Sequence, residues 1–370
     1  MREHKFCHFI ITIVLFIFCN TNVYAQDEQG IVSAEIKKSF IESVMENKLV
    51  RGVTTWFNAT DSLYITPEKY NLTLKLEEST WFEHYHLRSY NSDQRQVLGF
   101  APMPSSKLGL YLGWRWVSVG YSLDFNSLGG RKDNKRTEIA MHFHSARFGL
   151  DLYYRKTGSN YRITKCENFN LSNDYIGTPF NGFKSNIKGL NTFYIFNSKR
   201  FSYPAAYAHS TIQKKSCGSF LSGLSFTKHD ITFDHKQLPE EIQQQIKPEL
   251  CFKTLSYADY NISFGYSYNL AFKRNCLFNI TVLPALGYKR ARINNIDSPE
   301  YESIWTGWMK DINFDLITRT GVVWNNNKYY IGISLTLNTY DYRKDKFSMT
   351  NSFGSLRIYS GFNFWKRKGR

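Results

Sequence analysis

The chain is short of cysteine, short of proline and short of acids relative to its bases. Six cysteines and nine prolines stand in 370 residues, and 31 Asp+Glu face 47 Lys+Arg, for a formal charge of +16. No apolar run beyond residue 25 approaches the ~20 residues that a membrane helix needs, which excludes a helical membrane protein. What the chain has in plenty is rings, with 29 Phe, 25 Tyr and 8 Trp. That excess excludes a disordered chain, because disordered segments are poor in aromatics.

Residues 1–25 read as a cleaved secretory signal. Arg2 and Lys5 precede an apolar core, Phe9 to Cys19, and Val23-Tyr24-Ala25 supplies the cleavage site. A transmembrane anchor is the poorer reading, since the apolar run is about half the required length. Lipid attachment at Cys19 is disfavoured by the bulky Phe18 before it. Of the remaining cysteines, Cys166, Cys217, Cys251 and Cys276, none is spaced as a zinc-ligand pair. In an exported chain they are compatible with up to two disulfides in any of three connectivities, or with buried free thiols. No metal and no cofactor is expected.

Residues 26–66 form a separate periplasmic segment. Ile36, Phe40, Ile41, Val44 and Met45 share one helical face there, predicting a short amphipathic helix. Asp61-Ser62-Leu63 in the same segment has the form of a glycan-attachment site, a weak signal. From Tyr70 the period becomes two and stays so over 67–370. Tyr70, Leu72, Leu74 and Leu76 alternate with Asn71, Thr73, Lys75 and Glu77, and Tyr260, Ile262, Phe264, Tyr266 and Tyr268 alternate with Asn261, Ser263, Gly265, Ser267 and Asn269. Such segments predict about twelve strands: 69–90, 106–115, 116–125, 137–145, 147–156, 187–197, 217–228, 257–270, 275–289, 310–323, 328–340 and 353–364.

The connections alternate as well. Long ones are expected at 91–105, 126–136, 157–186, 229–256, 290–309 and 341–352, with tight turns between them. The segment 198–216 is the exception, long where a turn belongs. The bulky face of each strand carries almost no charge and the opposite face is small or polar. A soluble barrel needs its bulky face inside, so the pattern predicts an all-β, up-and-down antiparallel transmembrane β-barrel whose rings serve as interfacial girdles.

The blocks KYNLTLKLEESTWFEHYHLRS (69–89), FAPMPSSKLGLYLGWRWVSVGYSLDF (100–125), FGLDLYYRKTGSNYRI (148–163) and FNSKRFSYPAAYAHSTIQKKSCGSFLSGLSF (196–226) resemble a Bacteroidota-type family, domain-of-unknown-function family 4421. The resemblance runs from about residue 60 to the end. It implies an outer-membrane β-barrel in the cell outer membrane and brings no activity or catalytic residue with it.

With the bulky face toward lipid, the inward charges are Lys75, Arg115, Arg155, Arg319 and Arg357 against Glu77, Asp124, Glu138, Asp151, Asp311 and Asp315. This near balance suits a narrow or plugged lumen in which ions pair, rather than the one-sided ring of an anion-selective pore. Arg131, Lys132, Lys135 and Arg136 form a basic cluster in an outward loop, suited to lipopolysaccharide phosphates or plainly solvated; Lys366, Arg367, Lys368 and Arg370 form a basic tail. Outer-membrane lipids and a small solute are the expected partners. Nucleic acid is not, because the bases are spread over loops on opposite sides of an exported chain. Glu138, His142 and His144 share one strand face and are the best enzyme candidates, yet polar inward residues are ordinary in a lumen, so no catalytic residue is assigned. Residues 239–248, bracketed by prolines, predict a short helix that caps the barrel mouth or offers a partner-binding surface, with a plain surface loop as the default. The leading expectation is a narrow channel for small polar solutes. The competitors are a closed structural or interaction barrel and, more distantly, a lipid-modifying enzyme.

Overall fold

The structure, a computed structural model, describes residues 59–67, 69–89, 95–103, 105–114, 117–124, 137–294, 312–344 and 347–366. The signal and helix expected before residue 58 lie outside these residues, as does most of the basic tail. No described helix is long and apolar enough to cross a membrane.

Seventeen strands are described. They are β1 (Ile65–Thr66), β2 (Tyr70–Ser89), β3 (Val97–Pro102), β4 (Ser105–Trp114), β5 (Val117–Asp124), β6 (Thr137–His144), β7 (Phe148–Thr157), β8 (Tyr161–Glu167), β9 (Pro179–Phe180), β10 (Phe183–Ile195), β11 (Ile212–Gln213), β12 (Cys217–Phe233), β13 (Thr254–Lys273), β14 (Cys276–Asn294), β15 (Ile312–Asn325), β16 (Tyr329–Lys344) and β17 (Phe347–Lys366). Twelve of them follow one another in the order β2-β4-β5-β6-β7-β10-β12-β13-β14-β15-β16-β17, and β17 pairs antiparallel with β2 from Phe347↔Ser89 to Lys366↔Tyr70. The order therefore returns on itself as an up-and-down ring, and these twelve are the twelve segments that alternation picks out.

The faces are inverted relative to a soluble protein. Ile262, Phe264, Leu286, Phe314 and Ile331 are exposed on the outside, while Asn261, Ser267, Asn269, Asn279 and Thr281 are buried within. Burying apolar surface is the main drive in water, so this wall is favourable only against lipid, as in a membrane barrel. Pairing between neighbouring strands satisfies most backbone groups along the ring, as lipid demands, and the β5–β6 seam is the short one, paired at Val117↔Phe143 and Ser118↔His142. The short-turn end uses Asn275 and Asn327 at φ of 63° and 78°, a left-handed conformation that Asn tolerates.

Two expectations about connections are corrected. β16 and β17 run to Lys344 and from Phe347, so 341–344 and 347–352 of the long loop foreseen at 341–352 are strand. Several wall strands also exceed the ~9–11 residues needed to span a bilayer: β2, β13 and β17 have 20 residues each. The surplus projects at the long-loop end, where inward positions turn apolar. On β13, Leu255 and Tyr257 precede inward Asp259 and Asn261; on β2, Tyr85 and Leu87 follow inward Glu83. These side chains join Phe183, Ile231, Phe233, Tyr342 and Met349 in one cluster.

A cap sits on that cluster. β3 pairs with the top of β2 and with β8, and β8 pairs with β9. Phe100 of β3 packs against Phe180 and Phe233 at centroid distances of 5.0 and 5.4 Å. The proline-bracketed stretch forms helix α2 (Glu240–Gln243), and its Ile242, with Leu238 and Leu250 beside it, is buried in the same cluster; the cap reading of 239–248 is the one observed.

The 198–216 exception has a clear cause. The segment does not turn; it enters the lumen from the short-turn end. Helix α1 (Tyr203–Tyr207) starts at Ser202, whose hydroxyl accepts from the Ala205 amide, with Pro204 in the first turn. Phe201, Tyr203, Ala205 and Ala206 are buried against Phe193, Leu221, Leu283 and Ile317 on one side and Leu277, Val323, Tyr330 and Tyr359 on the other. Lumen amides fix it: Asn269 donates to the Ser202 carbonyl at 2.9 Å and Asn325 to the His209 carbonyl at 2.9 Å. β11, within this plug, pairs with β1. Asp61 there caps its own turn through the Leu63 amide at 2.9 Å.

All four described cysteines are free thiols, which selects the thiol alternative over disulfides.

Candidate functional site

Between cap and plug the lumen keeps a cavity of about 140 Å³. Its wall is the small or polar face of the strands: Lys75, Glu77 and Trp81 from β2, His142 and His144 from β6, Asp151 and Arg155 from β7, Arg319 from β15, Arg357 and Tyr359 from β17. The plug supplies the floor with Tyr207 and His209, the latter stacked on Tyr330 and Tyr359 at 4.8 and 4.3 Å.

Asp151 is the hub. His142 Nδ1 lies 2.6 Å and His144 Nε2 3.0 Å from its Oδ1, while Arg319 Nη2 donates to Oδ2 at 2.6 Å. Arg319 Nη1 donates to the Tyr203 hydroxyl at 2.9 Å, so one guanidinium joins wall to plug. The strand register explains the meeting, since His142 stands opposite Asp151. His142, His144 and Asp151 offer donor atoms within 4.8 Å of one another, a nitrogen–oxygen set of the kind transition metals accept. In this arrangement the carboxylate is already held by Arg319, whose charge a cation would have to oppose.

A second group gathers around Trp81. The Arg155 guanidinium stacks over its ring at 4.1 Å and that of Arg357 at 5.4 Å. Glu77 accepts from Lys75 at 2.5 Å and lies 3.7 Å from Arg357. Glu83 approaches Arg155 at 3.9 Å and also accepts from the Tyr85, Thr157 and Ser185 hydroxyls. Nearer the cap, Lys289 pairs with Asp315 at 2.8 Å and Asp259 at 3.5 Å, all three fully buried.

Of the charges expected in the lumen, Lys75, Arg155, Arg319, Arg357, Glu77 and Asp151 come together at the chamber, and Asp315 is separate with Lys289. Among the described side chains, the chamber lining holds Lys75, Arg155, Arg319 and Arg357 with Glu77 and Asp151. Glu138 lies on β6 with its backbone opposite Arg155, and the carboxylate that His142 and His144 meet is Asp151. Arg115, Asp311, Arg131, Lys132, Lys135 and Arg136 lie outside the described residues. Sequence reasoning missed Glu83, Asp259 and Lys289, although each keeps the inward parity of its strand. Parity followed along the whole of the expected strands 69–90, 257–270 and 275–289 would have found them. It also missed Tyr203, Tyr207 and His209, for which the only signal was the excess length of one connection.

From residue 59 to 364 the sequence matches the family described as Domain of unknown function (DUF4421). The chain belongs to that family. The sequence is similar to that of no curated protein. Among solved structures, the fold is similar to the outer membrane protease OmpT of Escherichia coli at 9% identity, covering 83% of this chain and 100% of that one, with a TM-score of 0.36. It is likewise similar to the translocator domain of the autotransporter NalP of Neisseria meningitidis (6% identity, 90% and 99% covered, TM-score 0.27) and to the CymD monoaromatic hydrocarbon channel (10%, 80% and 89%, 0.25).

Proposed function

We propose that this DUF4421 protein is an outer-membrane transport barrel for a small polar solute, held here in an occluded state. One observation carries the reading: a chamber of about 140 Å³, lined by charged and aromatic side chains, lies inside the barrel between a plug and a cap that the chain itself supplies. A barrel serving only as a wall or scaffold has no need of a chamber, and an open pore has no need of a plug tied down by lumen amides. On this reading the plug 198–216 and the cap are gates, the long loops face outward, and the lipid-facing rings anchor the barrel in the outer membrane. His142, His144 and Asp151 then serve to hold wall and plug together rather than to catalyse.

The competing reading, a closed barrel acting through its loops, draws on the same plug and on the pairing of Lys289 with two carboxylates, which fills the lumen below the cap. Planar-bilayer conductance separates the two. Residues 26–370 are compared with a form in which 198–215 is replaced by a two-residue turn, and with one lacking the 235–252 part of the cap as well. The transport reading expects a nearly silent intact barrel and discrete current steps once plug and cap are shortened. Steady large currents from the intact barrel would overturn occlusion. A doubly shortened barrel that inserts and stays silent would overturn transport in favour of the closed barrel.

A further inference from the structure

We propose that the outer wall carries a binding site for the phosphates of a phosphorylated glycolipid, such as lipopolysaccharide, on the β7–β14 side of the barrel at its long-loop end. This goes beyond the transport reading and holds whether or not the lumen opens. It starts from the upper edge of the apolar wall. On β7, β10, β12 and β14 the last apolar or aromatic outward residues are Tyr154, Leu190, Phe226 and Tyr288. The next outward residue toward the long loops is basic in every case: Lys156, Lys188, Lys228 and Arg290. Lys156, Lys228 and Arg290 are exposed.

Strand register sets these side chains next to one another. Lys188 stands directly opposite Lys228. Lys156 is opposite Asn186, two residues further along β10 from Lys188. Arg290 is opposite Ala258, which is itself opposite Lys228. Side chains directly opposite in an antiparallel pair are about 5 Å apart at Cβ, and like charges placed so repel. Among the described residues, Asp230 is the one acid on the outward face of β7, β10, β12, β13 and β14. It lies 4.0 Å from Lys228 and accepts from the Ser256 hydroxyl. A phosphate between Lys188 and Lys228 replaces their repulsion with charge-assisted hydrogen bonds.

The wall below fits the rest of the lipid. Leu224, Phe226, Tyr260, Ile262 and Tyr288 are exposed and uncharged, a surface for acyl chains, and the Phe226 and Tyr260 rings pack at 5.0 Å. Aromatic residues of a barrel mark the headgroup level. The basic residues stand two strand positions higher, about 7 Å, where phosphates follow the acyl chains. Free phosphate has nothing to lay on this wall, which singles out the lipid. The site is also one-sided. On β2 the outward residue after the exposed Leu76 is Glu78, set between the exposed Leu108 and Ile358, and on β16 the first outward charge toward the long loops is Asp341.

The test is a lipid titration of residues 26–370 refolded in detergent micelles, read by native mass spectrometry. The probes are bisphosphorylated lipid A, the same lipid stripped of its phosphates, and inorganic phosphate as competitor. Saturable binding of lipid A is expected, at least about tenfold weaker for the stripped lipid and unaffected by equimolar inorganic phosphate. Lys188→Gln combined with Lys228→Gln weakens lipid A binding by about tenfold or more, whereas Arg343→Gln, on β16, leaves it unchanged. Heat-dependent gel mobility reports whether each variant has folded. Should the double variant fail to fold, Lys156→Gln with Arg290→Gln takes its place. Equal binding of both lipids overturns the proposal, as does displacement by inorganic phosphate or unchanged binding in a folded double variant. An equal loss in Arg343→Gln overturns the one-sided site. None of these outcomes bears on transport, which conductance alone decides.

Discussion

Asp151 shows how one carboxylate can organise a lumen. It accepts from Arg319 and stands within hydrogen-bond reach of both His142 and His144, so Asp151→Asn leaves a buried guanidinium without its counter-charge. Breaking a buried pair in this way costs about 3–5 kcal/mol. The expected outcome is a lower denaturation midpoint in urea for the refolded barrel, with an unchanged slope against denaturant. Cys166, in β8 of the cap, supplies a pH test outside the membrane wall. Burial, with Asp174 adding repulsion, pushes its thiol up to about 11. Since the thiolate is the reactive species, alkylation of Cys166 by iodoacetamide is expected to be slow at pH 8. Its rate should climb about tenfold per pH unit until the pH nears 11, whereas a thiol near its ordinary value would level off around pH 9.

The plug is the element on which the closed state depends. His209 lies between the Tyr330 and Tyr359 rings, and burial first, then the Lys75 charge and the neighbouring His144, hold its imidazole well below the ordinary value of 6.5. A withdrawn plug exposes the same imidazole to water, where it takes a proton below about 6.5. The docked plug is therefore at full stability above that pH. It loses up to about 1.4 kcal/mol per pH unit as the pH falls toward the depressed value. Current steps from the intact barrel should become more frequent between pH 6 and 4, and His209→Phe should remove that dependence while keeping the stacked ring. In the sequence, residues 198–216 announce only a connection that is too long. Their role depends on Asn269, Asn279 and Asn325, which come from distant strands.

At the scale of the whole molecule the deciding contact is the seam. β17 closes on β2 over their full length, and neither β16 nor β2 has another partner to cover that edge along the wall. An open sheet edge facing lipid leaves backbone groups unsatisfied at several kcal/mol each. A chain ending at residue 346 should therefore fail to insert into lipid vesicles, where residues 26–370 insert and resist protease. Survival of a protease-resistant barrel without β17 would disprove closure through this seam.

Twelve wall strands and their lipid-facing side were legible in the sequence because a two-residue period is local. Tyr260 to Tyr268 alternate with Asn261 to Asn269 whatever the rest of the chain does, and only lipid on the bulky side makes such a face favourable. The cap was less legible. Leu255 and Tyr257 sit on the same inward parity as Asp259 and Asn261, and the change from polar to apolar filling follows from height in the barrel, which no local window encodes. The chamber was legible only as a list. Lys75, Arg155, Arg319 and Arg357 could be placed inward one at a time, but their meeting with Glu77 and Asp151 around one space depends on which strands lie across the lumen and where the plug stops. Sequence by itself determined the wall, because each residue there answers only to its neighbours in the strand and to lipid. Tertiary structure alone decided the plug, the cap and the grouping of charges at the chamber, because those arise where residues more than a hundred positions apart share one small space.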